Sequence, residues 1–245
     1  MKCNWILVTV YIIIIPILLF LNFGQSIQVY IRSGVSYSMA DHFVRSVSGS
    51  ISSLTIIPAL VILFFFLTKN DFNSTFVIKQ FSRKRLWLKQ VYKAGLFALF
   101  MTIYITLISY LLGGLLSPEY INWSSKDSVF FSVNKVIAPD ISILKVILTF
   151  SITYLIKVLV MCILALLIYW LTNKKFISLI LILALTLIEA QSFNIDIFYT
   201  VININYGLWI KPFGIISGIA YGVGLMLILI GLGILTAKRK EFLNE

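Results

Sequence analysis

The sequence predicts an all-α integral membrane protein with six transmembrane helices, and three observations lead there. The chain of 245 residues is 60% hydrophobic and only 12% charged, against about 25% charged in an ordinary soluble domain. Six long apolar runs follow one another along it, each close to the roughly 20 residues that cross a hydrocarbon core of ~30 Å. Most of the charge collects between those runs. They are continuous, unlike the alternating segments of about ten residues in an outer-membrane barrel.

The runs can be justified in order. Trp5–Phe23 follows Lys2 and is 19 residues long, longer than the core of a secretory signal. Asn22-Phe23-Gly24-Gln25 is a poor cleavage site, so this run is expected to persist as a span. Ile51–Leu67 and Ala94–Leu116 flank a strongly basic connection. Ile143–Leu171 and Phe176–Phe193 are separated by Thr172-Asn173-Lys174-Lys175, a tight turn that makes them antiparallel neighbours. Gly214–Ala237 precedes a basic tail, Lys238-Arg239-Lys240. Pro16 and Pro58 are expected to kink the first two spans, which neighbouring helices tolerate. No internal repeat, low-complexity tract or linker interrupts the chain, so residues 1–245 read as one transmembrane domain.

Basic residues set the orientation. With both termini cytoplasmic, thirteen lysines and arginines fall inside and six outside, and Lys157 lies within a span. The positive-inside rule selects that arrangement. The net charge of +11 is therefore a topology signal. A nucleic-acid partner is not expected, because the basic residues do not gather on one solvated face.

Catalytic groupings are missing. The single histidine, His42, falls in the first external loop, and no Cys/His/carboxylate set has metal-ligand spacing. Cys3 and Cys162 are too isolated to make a disulfide scaffold. No glycine is followed by lysine, which excludes a P-loop. A non-catalytic chain without a cofactor of its own is expected, and any ATP hydrolysis must come from another polypeptide.

The connection between the second and third spans, 69–93, is the most informative segment. Phe72, Phe76, Val77 and Phe81 recur near helical spacing, and Leu88, Val91 and Tyr92 lead into the third span. Between them lies Ser82-Arg83-Lys84-Arg85, with Ser82 positioned to cap the following helix. Two readings follow from the residues: an amphipathic helix whose cations face anionic lipid, or a docking helix for a soluble partner.

Asp71-Phe72, Val77, Ser82-Arg83, Leu86-Trp87 and Lys89 or Lys93, ahead of the third of six spans, resemble the first cytoplasmic connection of ABC-2 type transporter permeases. The likeness is greatest to the small permeases of bacterial peptide-export and lantibiotic self-immunity systems, and as a topology it extends over most of the chain. The resemblance implies an ABC-2 (type V) exporter-like permease in the bacterial plasma membrane. It implies a coupling helix including Asp71, Phe72, Phe76, Val77, Ser82, Arg83, Lys84, Arg85, Trp87 and Lys89, seated in a separate ATPase subunit that binds the ATP and Mg. It further implies a second permease subunit, identical or related, and a peptide cargo. In such permeases the segment matching Asn194–Phe213 dips back into the outer leaflet. The residues alone allow equally an interfacial loop anchored by Trp209 and Lys211.

Two ionisable residues interrupt apolar runs. Lys157 and Glu189 are each 16 positions from Asn173 in the turn, about 24 Å at helical rise. Equal depth predicts an ion pair between neighbouring helices, with either a structural role or a place on a substrate path, because a lone charge there is costly. Gly214, Gly218 and Gly222 recur every fourth residue, the spacing that lets helix backbones approach closely in lipid. Rival functions are a substrate-binding membrane module resembling the S component of vitamin importers and a stand-alone membrane immunity protein. The first of these usually carries an alanine face on its first span, and Trp5–Phe23 contains no alanine.

Overall fold

The computed structural model describes residues 5–48, 52–68, 82–138, 141–190, 201–211 and 213–239. Eight α-helices lie in these residues: α1 (Trp5–Arg32), α2 (Met39–Ser48), α3 (Ile57–Leu67), α4 (Arg83–Leu116), α5 (Val129–Asn134), α6 (Ile143–Thr172), α7 (Lys175–Ala190) and α8 (Gly214–Arg239). A π-helical turn, Ser52–Ile56, leads into α3, and a 3-10 turn covers Tyr206–Trp209. No β-strand occurs among the described residues.

Four helices are long and apolar enough to cross a membrane: α1, α4, α6 and α8. The second and fifth apolar runs form shorter helices, Leu54–Leu67 and Lys175–Ala190. Local chemistry sets the boundaries. Ser82, Ser142 and Ser128 each precede a helix and accept a hydrogen bond from the backbone three residues on, at 3.2, 3.3 and 3.2 Å, satisfying an amide that has no intrahelical partner. Pro58 lies in the first turn of α3, where its missing N–H is least costly. Asn173 ends α6 at φ 59°, the left-handed conformation that asparagine tolerates. The chain reverses there into α7, and Ser178 Oγ donates to the Ala165 carbonyl at 2.6 Å, fastening the antiparallel pair.

The apolar axis is α6. It is buried along most of its length and packs against α2, α3, α4, α7 and α8. By contrast α1, α4 and α8 present Ile13, Ile17, Phe20, Phe100, Leu107, Leu111, Leu227 and Ile228 outward. In water such an exterior would drive aggregation, whereas lipid tails are as apolar as the side chains themselves.

The two ends of the bundle differ. One end gathers the start of α4 and the turn between α6 and α7, with their lysines and arginines, and is called here the basic end. The other is a cap made of residues 33–48, 117–138 and 201–211. Backbone bonds from Met39 and Ala40 to Glu119 and Tyr120, and from Ser36 to Asp127 and from Val129 back to Ser36, weave the first two parts together.

The glycine stripe of α8 makes its close approaches within the chain. A Cβ at Gly214 would lie 2.8 Å from the Leu208 carbonyl oxygen, at Gly218 3.1 Å from that of Val201, and at Gly222 2.5 Å from Ile156. Gly233 is tighter still, since a Cβ there would overlap the Trp87 ring. Gly233→Ala must therefore displace the indole or α8, with an expected loss of about 1–3 kcal/mol. Gly224→Ala, with nothing within 4 Å, should leave stability unchanged. Thermal unfolding of the two variants in detergent checks the contrast.

Candidate functional site

Two places bring chemistry-bearing residues together: the first turns of α4 and the buried polar groups below the cap. At the basic end α4 runs without interruption from Arg83 to Leu116, 34 residues, about 51 Å at helical rise. Its apolar part begins at Ala94, so three basic turns project beyond it as one rigid piece. Lys84, Arg85 and Lys89 are exposed and Arg83 is half-buried.

Trp87 points the other way and is fully buried. Its Nε1 donates to the Ile230 carbonyl of α8 at 3.2 Å, and its ring meets Trp170 of α6 edge-on at 5.8 Å. The Trp170 Nε1 in turn donates to Gln90 Oε1 at 2.7 Å. Trp87, which the resemblance places in the coupling helix, forms an internal joint among α4, α6 and α8. Of the remaining coupling residues, Ser82 caps α4, and Asp71, Phe72, Phe76 and Val77 lie outside the described residues.

Lys157 and Glu189 are both interior, at 1% and 5% exposure. Lys157 Nζ donates to the Val47 carbonyl at 3.1 Å, and the Glu189 carboxylate acts on it electrostatically. Val47 lies in the last turn of α2, where unsatisfied carbonyls and the helix dipole favour a cation. The sequence signal for Lys157 was its position in an apolar run, and the carbonyl partner was not legible there.

The opposite end of α2 holds a buried carboxylate. Asp41 accepts from the Ser38 backbone N–H and hydroxyl at 2.7 and 2.8 Å, from Trp123 Nε1 at 2.8 Å and from the Tyr206 hydroxyl at 3.0 Å. Burial pushes this carboxyl above its ordinary pKa, and the four donors oppose that rise. The Tyr206 phenol is driven well up by burial and by the neighbouring Asp41, which keeps it a donor. Trp123 stacks on Phe130 at 5.0 Å and meets Trp209 at 5.4 Å. Trp209 thus faces inward, where the sequence allowed a lipid-facing anchor. The described part of the following segment, 201–211, contains a 3-10 turn and no α-helix.

His42 differs from its sequence assignment too. It is helical and fully buried, stacked on Phe23 at 4.5 Å with Tyr37 edge-on at 6.0 Å. The readable signals were Met39, Phe43 and Val47 at four-residue spacing and Ser38-x-x-Asp41, the outline of a capping box.

Among the described residues no three His, Cys, Asp or Glu side chains converge as metal ligands. A groove of about 260 Å³ between α4 and α6 is lined by Leu99, Thr102, Thr106, Ser151 and Leu155. Thr106 and Ser151 share a hydrogen bond across it at 3.2 Å. No protein-family model, no curated protein and no solved structure matches the chain.

Burial lowers the His42 pKa from 6.5 to about 4, which gives a pH dependence with a definite sign. As pH falls below 6.5 the unfolded imidazole takes up a proton that the folded one refuses, so stability present above 6.5 is lost down to about 4. Asp41, shifted upward, acts in the opposite sense over the acid range. The difference in melting temperature between wild type and His42→Phe isolates the imidazole. It should be constant above pH 6.5 and shift against wild type from there to pH 4.

Proposed function

We propose that this chain is the membrane-spanning subunit of an ATP-driven ABC-2 type exporter. It works with separately encoded ATPase subunits and a second permease subunit in a bacterial plasma membrane. Its cargo is an amphipathic peptide of antimicrobial type, removed from the bilayer for export or self-protection. The subunit itself carries no catalytic role.

The observation that carries this reading is the continuity of α4 from its exposed basic turns into the apolar bundle, together with its attachment through Trp87 and Trp170. A helix that is rigid across that distance transmits displacement. Pressure on Lys84, Arg85 and Lys89 from a nucleotide-driven partner reaches α8 through Trp87 and α6 through Trp170. Closely packed interiors pass strain on rather than absorbing it. In this reading Trp87 is a transmitting residue, and the partner meets the neighbouring cations.

Six passes consist of the four long helices plus the π turn with α3, and α7. Each of these two is 16 residues, about 24 Å. Segments that short are matched to a bilayer by local thinning or by flanking side chains. The concentration of lysine and arginine around α4 and the α6–α7 turn supports assigning the basic end to the cytoplasm. A largely apolar bundle suits a cargo that partitions into lipid.

Purification from the native membrane in mild detergent tests the proposal. An ATPase is expected to co-elute, and Lys84→Glu, Arg85→Glu and Lys89→Glu together should remove it without lowering the melting temperature. A chain that elutes as a lone monomer overturns the reading and favours a stand-alone immunity protein or a substrate-binding module. In intact cells, a cysteine introduced as Ser82→Cys should resist a membrane-impermeant thiol reagent and react after permeabilisation.

A further inference from the structure

The junction of α1, α2, α4 and α6 contains polar groups that the proposed transport role does not use. Asn22 is 2% exposed, Tyr154 1%, and His42 and Ser109 are fully buried. Asn22 Nδ2, both His42 ring nitrogens, Ser109 Oγ and the Tyr154 hydroxyl have no hydrogen-bond partner among the described residues. Buried polar atoms are paired almost without exception. Five orphans on four helices that pack against one another therefore call for a common explanation.

The geometry draws the four residues around α2. Phe23 stacks on His42 at 4.5 Å, which packs the turn of α1 that carries Asn22 against α2. A Cβ at Gly113 would lie 3.7 Å from His42 Cδ2, and Ser109 lies one turn along α4 from Gly113, on the same face. On α6, Phe150, Tyr154 and Lys157 form one stripe at helical spacing. Phe150 meets Phe43 of α2 at 4.9 Å and Lys157 bonds Val47 of α2, so Tyr154 lies on the stripe that faces α2 between these two contacts.

The chemistry of the orphans selects the occupant. A neutral imidazole presents one donor and one acceptor, Asn22 Nδ2 only donates, and the two hydroxyls do both. A cation would leave the donors unpaired, and an anion would leave the imidazole acceptor unpaired. Water satisfies both kinds, and a buried water typically makes about three hydrogen bonds.

We infer that the space around α2 is a hydrated internal site, in which a small cluster of water molecules bridges His42, Asn22, Ser109 and Tyr154. It extends polar contact from the external cap toward Lys157. The inference stands apart from the ATPase partner and holds or fails on the chain alone.

Hydroxyl-radical footprinting of the full-length protein in detergent, read by mass spectrometry, tests it, because radicals generated on bound internal water mark the side chains that touch it. His42 and Tyr154 are expected to be modified several-fold faster than Met161, which is 1% exposed and intrinsically more easily oxidised. Ser109→Ala should reduce the His42 signal while the protein stays folded. Modification of His42 and Tyr154 no faster than Met161 overturns the site. The melting temperature of Asn22→Leu gives an independent reading: in a dry junction it rises or stays level, because an unpaired group has been removed. In a hydrated one it falls, because the remaining members lose their bridge.

Discussion

A ten-residue helix buried among longer ones is the constraint around which the cap end is organised. Every described side chain of α2 except Arg45 is buried, so neither of its ends can use bulk solvent to satisfy its backbone groups. Asp41 reaches back to the Ser38 amide at the amino end, and the Lys157 ammonium meets the Val47 carbonyl at the other. A negative group near the first turn and a positive one near the last each oppose the helix dipole. Because Asp41 also holds Trp123 and Tyr206, the same carboxylate fastens the long loop after α4 and the segment before α8. One buried charge thus joins parts of the chain that are 165 positions apart.

The basic end is organised differently, by aromatic packing against a glycine. The Trp87 indole occupies the space a side chain at Gly233 would fill, and its N–H finds an acceptor in the backbone of α8. Trp170 meets it edge-on and is itself bonded to Gln90. In a bilayer interior such close seating replaces the hydrophobic effect as the source of helix association. The result is a bundle with charged and polar fastening at one end and dense aromatic contact at the other, joined by α6. The start of α4 is thereby held directly against α6 and α8.

Much of this was readable in one dimension, element by element. The apolar runs correspond to helices because length and composition suffice where the surroundings are lipid, and the turn at Asn173 was marked by its residues. The second apolar run was harder. Its first turns are π-helical and its upstream partner α2 carries Asp41, His42 and Arg45, charges that made it look like loop. The amphipathic spacing of Met39, Phe43 and Val47 was present, but a polar helix buried by its neighbours resembles an exposed one in sequence. The direction in which Trp87 faces is not legible for a related reason: helix rotation alone decides which way an indole turns.

Composition, run length and charge distribution by themselves determined that this is a helical protein with lipid-compatible surfaces and a strongly basic connection after the second apolar run. Those properties depend on each residue's transfer free energy, which is local and additive along the chain. What only the tertiary structure decided is which polar groups meet: Asp41 with Trp123 and Tyr206, Lys157 with the end of α2, and Trp87 with Gly233. Such meetings depend on the rotation and register of whole helices about their axes. Those are set by packing between residues distant in sequence, to which no single run has access.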